Sequence, residues 1–231
     1  GSSTVSNTDG SVTSSVRVNQ TAGFSIVSFE AGSSGNKTVG HGLNADLGMF
    51  MIKDRDNAGS WQVWHKSLPN SAQSYLQLND TDASINDSRI WANTAPTSSV
   101  FSFEANYAVS NSVIGYCFSP VEGFSAFGSY TGNGSSDGPF VHTGFRPAWI
   151  MYKNADAAHS WVIFDSTRDT YNVSDSYLLA NSSAAEADAD TIDFLSNGFK
   201  IRSSAASPNG SGNTIIYMAF AENPFQANGG L

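Results

Sequence analysis

An all-β fold is the first expectation from this sequence, and three observations carry it. Short segments rich in β-branched and aromatic residues recur along the chain, as in SWQVWHK (60–66), FKIRSS (199–204) and NTIIYMAF (213–220). Clusters such as AGSSGN (31–36), TGNGSSDG (131–138) and SPNGSG (207–212) separate them, and Gly, Asn, Ser and Asp in such runs are turn formers. Ser, Thr, Asn and Gly together make 92 of the 231 residues, which leaves little room for long helices. The predicted class is a pair of tandem duplicated β-sandwich or jelly-roll-like repeats, which could also pack as one larger concanavalin-like sandwich.

The duplication is legible as seven ordered matches at offsets of 98 to 102. GFS (23–25) recurs as GFS (123–125), and VGHGL (39–43) as VHTGF (141–145). MFMIK (49–53) matches WIMYK (149–153), and each lysine is followed eight positions on by Trp61 or Trp161. SYL (74–76 and 176–178), VFSF (100–103) against GFKI (198–201), and VIGYCF (113–118) against IIYMAF (215–220) complete the series. The period is too long for a solenoid unit, so the expected boundaries are 23–122 and 123–231. Residues 1–22 precede the first repeat: Gly1-Ser2-Ser3 reads as an expression scar or a cut in a longer chain, and VTSSVRVNQT (12–21) as an edge strand. That start suggests the C-terminal module of something larger. Only ASINDSR (83–89) and SSAAEADADT (182–191) have helical flavour, the second as one short helix or turn, because Ala, Glu and Asp are poor strand formers.

Composition narrows the function classes. Acids outnumber bases 20 to 11, the net charge is -9 and the pI is near 4.6. Without a basic footprint, nucleic acid is not the expected partner. Apolar runs are only a few residues long, so no membrane insertion is expected. The 28 aromatics argue for a packed core and against disorder. Cys117, alone in its type, reads as a buried hydrophobe. No HExxH, GxSxG, Walker or dinucleotide-binding pattern is present, and the chain is expected not to be an enzyme.

The string GFSAFGSYTGNGSSDGPFVHTGFRP (123–147), with DFLSNGFKIR (193–202), AFAENPF (219–225), WANTAPTSSVF (91–101) and TVGHGL (38–43), resembles the β-rich domain repeated in virion proteins of tailed bacteriophages, often those of marine bacteria. The likeness covers roughly residues 10–225. It implies a virion-surface location, extracellular when functioning, and a role as the receptor-binding part of a tail fibre or spike. The implied partner is a bacterial surface glycan. A structural capsid-decoration or tail-knob protein bound to other virion proteins is the alternative, and a polysaccharide depolymerase the second. Homo-oligomers are compatible with this setting. No catalytic residue or ligand contact comes with the resemblance.

Site expectations follow from what differs between repeats. Trp61 with Trp161, and Phe118 with Phe220, recur at matched positions and read as packing residues. Aromatics present once are better ligand contacts, because a ring flanked by amides and carboxylates suits a sugar. Trp91 and Tyr171, in polar surroundings, are the preferred pair, followed by Tyr107 and Trp64. Asp188, Asp190 and Asp193, after Glu186, raise a weak calcium expectation, since calcium takes several hard oxygens. Asp54 and Asp56 carry a similar signal, with Arg55 at hand to neutralise one of them. No cofactor beyond that possible Ca2+ is expected.

Overall fold

Strand alternation, rather than chain length, dictates the architecture. The computed structural model describes residues 3–32, 34–105 and 111–224. Its first strands are β1 (Val5–Asn7), β2 (Ser14–Asn19), β3 (Phe24–Glu30), β4 (Asn36–Gly40), β5 (Met49–Asp54), β6 (Gln62–His65), β7 (Ser74–Gln77), β8 (Ile85–Asn86), β9 (Val100–Glu104) and β10 (Ser112–Phe118). Then come β11 (Ser125–Thr131), β12 (Phe140–His142), β13 (Pro147–Asn154), β14 (Val162–Asp165), β15 (Ser174–Leu179), β16 (Ala187–Leu195), β17 (Gly198–Ile201) and β18 (Thr214–Ala221), with the four-residue helix α1 (Ala206–Asn209) before β18. The fold is all-β, and every pairing between these strands is antiparallel.

The chain divides into two compact units: Gly1–Leu78 with Ser84–Pro120, and Asn79–Ala83 with Val121–Leu231. In the first, an eight-stranded sheet runs β1-β2-β3-β10-β5-β6-β7-β8, and β4 and β9 form a separate two-stranded sheet. One side chain in two turns inward, giving the alternating burial of β3 and β10. Val27, Phe29, Val113 and Cys117 thus face the core. Phe101 and Phe103 of β9 meet them from the small sheet, with Phe29–Phe103 and Phe50–Phe101 ring centroids 5.4 and 4.8 Å apart. Each such side chain withdrawn from water contributes about 1.5–3 kcal/mol. Residues 1–22 supply β1 and β2, which continue the main sheet beyond β3. Burial pushes the Cys117 thiol up to about 12, the Ser25 hydroxyl drawing it slightly back.

The second unit repeats the plan in one eight-stranded sheet, β11-β18-β13-β14-β15-β16-β17-β12. Its two ends meet over a core that includes Ile150, Tyr152, Phe194, Phe199 and Tyr217. Phe199 packs edge-on against Tyr217, with centroids 5.4 Å apart. The helix-or-turn expectation for 182–191 fails from residue 187 on, where the nine-residue strand β16 (Ala187–Leu195) begins. Tertiary pairing overrides its weak propensity, because β16 is flanked by β15 on one side and β17 on the other. The first helical tract likewise becomes the short strand β8 and a turn.

Where the repeats are superposed by pairing, the GFS identity slips. Phe118 pairs with Phe24, but its counterpart Phe220 pairs with Ser125. A one-residue shift exchanges the two faces of a strand. Ser25 therefore lies across from Cys117 on the core side, whereas Ser125 lies across from Phe220 on the other face. The difference starts in the approach. β3 leaves a hairpin closed by Asn19 and Phe24, and β11 follows a tight turn in which Val121 bridges Ser125.

One loop survives duplication almost unchanged. The Lys53 ammonium donates to the Asp54 and Asn57 carbonyls at 2.8 and 3.1 Å, and that of Lys153 to the Asn154 and Ala157 carbonyls at 2.6 and 3.2 Å. Asp56 accepts from the Ser112 amide and Asp156 from the Thr214 amide, tying each loop to the central strand. Lys153 is fully buried. Burial lowers its pKa to about 8, with Asp82 and Asp80 pulling the other way.

Candidate functional site

The tryptophans expected to stack on a ligand are core residues. Trp91 is fully buried, donates its indole N–H to the Ser74 carbonyl at 2.8 Å, and sits edge-on against Phe50 with centroids 4.9 Å apart. Trp64 is 4% exposed, donates to the Ser71 carbonyl at 2.8 Å and stacks on Phe50 at 5.5 Å. A ring with no free face cannot receive a sugar, so both expectations are corrected. Trp91 misleads because its loop keeps the polar neighbours outside and turns one large side chain inward. Tyr107 lies outside the described residues. Of the pair read as packing residues, Trp161 is 1% exposed and Trp61 half-buried against Tyr116.

The acidic residues read for calcium lie along a strand. Asp188 and Asp193 lie in β16, paired with Ser176 and Lys200 respectively. The Asp193 carboxylate is buried and accepts from Arg202 at 2.5 Å. Among the described residues, no group of three His, Cys, Asp or Glu side chains could hold a metal. Asp54 is likewise spent on its own loop, accepting from the Asp56 and Asn57 amides and from the Asn57 side chain. Arg55 does not neutralise Asp54 or Asp56: among the described residues it forms no ion pair, and Asp56 accepts the Ser112 amide instead.

Tyr171 is 86% exposed, and nearby Val173 is 49% exposed. The loop beneath is pinned at several points. Asn172 donates to the Phe194 carbonyl at 3.0 Å and accepts its amide at 2.9 Å, so an amide side chain stands in for a strand neighbour. Asp169 accepts the amides of Asp175 and Ser176 at 2.9 and 2.7 Å. Arg168 is held between Asp165 and Glu186. The result is an exposed ring on a rigid mount bordered by charged and amide groups.

A second feature occupies the solvent side of β2 and β3 in the first unit. Ser14 and Val16 point into the core, which leaves Thr13, Ser15, Arg17 and Asn19 exposed. Across the ladder Ser15 faces Ser28, Arg17 faces Ile26 and Asn19 faces Phe24. A polar depression of about 330 Å³ lies over Ser15, Ser28, Glu30, Arg55 and Ser112. On the same face, a smaller one of about 160 Å³ lies over Arg17, Asn19, Phe24 and Ile26. Sequence reading missed this strip, although the alternation in SSVRVN carried the signal.

The comparisons add one finding. A family model, the domain of unknown function DUF7483, matches residues 1–224. The chain belongs to that family. No curated protein and no solved structure matches it. The match takes in all eighteen strands of both units, so the duplicated architecture as a whole lies within the family's span.

Proposed function

We propose that the chain is a non-catalytic recognition module exposed on a phage virion, the receptor-binding part of a tail fibre or spike, and that its ligand is a bacterial surface glycan. The observation that carries the reading is Tyr171: a phenol 86% exposed on a loop fixed by side-chain hydrogen bonds. Ordering such a ring on binding costs little entropy, its face packs on the C–H side of a sugar, and its hydroxyl is free to pair. Neighbouring carboxylates and amides can take the sugar hydroxyls. The virion setting comes from the motif resemblance alone.

Binding rather than turnover is favoured by the condition of the carboxylates. Asp193 is committed to Arg202, Asp165 and Glu186 to Arg168, and Glu222 to Arg146. The Asp137 carboxyl is held below its ordinary range by the hydrogen bond and charge of Lys200, the reverse of what a general acid needs. A glycan array probed with the chain and with Tyr171→Ala tests the reading. The expected result is glycan-dependent signal that falls about tenfold in the variant, as loss of roughly 1.4 kcal/mol of stacking would produce. A blank array at high protein concentration would move the reading to a structural virion protein.

A further inference from the structure

We infer that the strip along β2 and β3 of the first unit is a binding site for an extended acidic polysaccharide, one bearing carboxylates on its sugars. The inference rests on the reading of the chain as a glycan-recognition module and names a substrate class and a place that Tyr171 does not supply.

The chain has six arginines. Arg89, Arg146, Arg168 and Arg202 each hold a carboxylate in an ion pair. Arg17 and Arg55 hold none among the described residues, in a chain with 20 acids to 11 bases. These two are the arginines that line the two depressions on the strip. The carboxylates beside Arg55 in sequence are turned to other donors, Asp54 to its loop amides and Asp56 to Ser112. A planar guanidinium left open above a rigid sheet is suited to bidentate capture of a carboxylate.

The surroundings specify a sugar polymer. Between the arginines the surface offers the hydroxyls of Ser15, Ser28 and Ser112, with Glu30 as an acceptor at one end. Phe24 and Tyr116 lie nearly parallel, 12° apart at 6.5 Å, as a half-exposed apolar floor at the other end. Both depressions are shallow and continuous with one sheet face, whereas a peptide partner would be anchored by side chains in deeper pockets. Arg17 and Arg55 are separated by three strand spacings of ~4.8 Å and about four residues of ~3.3 Å, so their backbones stand on the order of 20 Å apart. One monosaccharide cannot bridge that span. A chain of uronic acid residues can, with successive carboxylates meeting the two guanidinium groups.

The test is calorimetric titration of the whole chain with an oligogalacturonate long enough to span the strip, with a neutral gluco-oligosaccharide of equal length and with poly-glutamate. Arg17→Gln, Arg55→Gln and Tyr171→Ala are titrated alongside, each first shown to keep the wild-type melting temperature. The expected result is binding of oligogalacturonate that weakens with added salt, falls about tenfold in either arginine variant, persists in Tyr171→Ala, and exceeds neutral-oligomer binding at least tenfold. Unchanged affinity in both arginine variants overturns the site. Equal binding of the neutral oligomer overturns the acidic ligand class. Displacement of oligogalacturonate by poly-glutamate of equal affinity would replace the polysaccharide with an acidic polypeptide. A glycan array on which Tyr171→Ala matches the wild type, alongside arginine-dependent oligogalacturonate binding, would sink the tyrosine reading and leave this site standing.

Discussion

The two units solve one packing problem with different parts. In the second unit, β16 connects β15 to β17 and brings Phe194 into the core from a continuous sheet. In the first, the matching strand β8 has two residues, and the main sheet ends there. The loop that follows supplies Trp91, which reaches Phe50 and takes its hydrogen bond from a strand carbonyl. A large indole from a loop thus does for one sandwich what a strand phenylalanine does for the other. The comparison teaches that a duplicated core conserves volume at a position more strictly than it conserves the element delivering it.

If that account is right, truncating either aromatic is the most damaging change available. Trp91→Ala and Phe194→Ala are each expected to lower unfolding free energy by about 3–5 kcal/mol, measured by urea denaturation. A Trp91→Ala protein of native stability would break the equivalence. Smaller is the effect of the lysine loops. Lys153→Met strands two carbonyls beneath a fully buried side chain and should cost about 2–4 kcal/mol. Lys53→Met, at a half-exposed site, should cost about 1 kcal/mol or less. Equal losses would deny that burial distinguishes the two loops.

The same lysine gives a pH signature. Its folded pKa, about 8, lies below the ordinary 10.5. Between those values the unfolded chain holds the proton that the folded chain has released, so stability rises with pH across that window. Cys117 acts in the opposite sense. Its folded value near 12 exceeds the ordinary 9.0, and stability falls as pH climbs above 9 because the unfolded thiol ionises first. Denaturant midpoints should therefore rise from pH 8 to 9 and then level or fall. The rise should vanish in Lys153→Met, and a rise that persisted in that variant would have to come from another group.

Least disruptive to the fold is Tyr171→Ala, at a residue 86% exposed. Its stability should stay within about 0.5 kcal/mol of wild type, while the binding assigned to it is lost.

Much of the fold could be read from the sequence, because strand periodicity and turn residues act locally. The strands of the two repeats, the buried Cys117 and the buried Trp161 fall into this class. What failed depends on distant partners. The tract 182–191 lacks strand formers, yet its residues from 187 on open a strand because β15 and β17 flank it. Trp91 has a binding loop's neighbours and becomes core because the first sheet lacks the strand that would fill that space. The GFS match is real in sequence and out of register in the sheet, since the different turns that lead into β3 and β11 set the register. For the site, exposure at Tyr171 followed from its polar stretch. The absence of an ion pair at Arg17 and Arg55 among the described residues did not, because it depends on where the carboxylates end up.

Recognition is assigned to residues that the cores leave outside, and a glycan array comparing the wild-type chain, Tyr171→Ala and the Arg17→Gln/Arg55→Gln double variant decides whether that claim holds. The prediction is strong signal for the wild type, loss of acidic glycans in the double variant and loss of a separate set in Tyr171→Ala, with all three proteins melting alike. An array on which the folded wild type binds nothing, or on which both variants match it spot for spot, would contradict the claim.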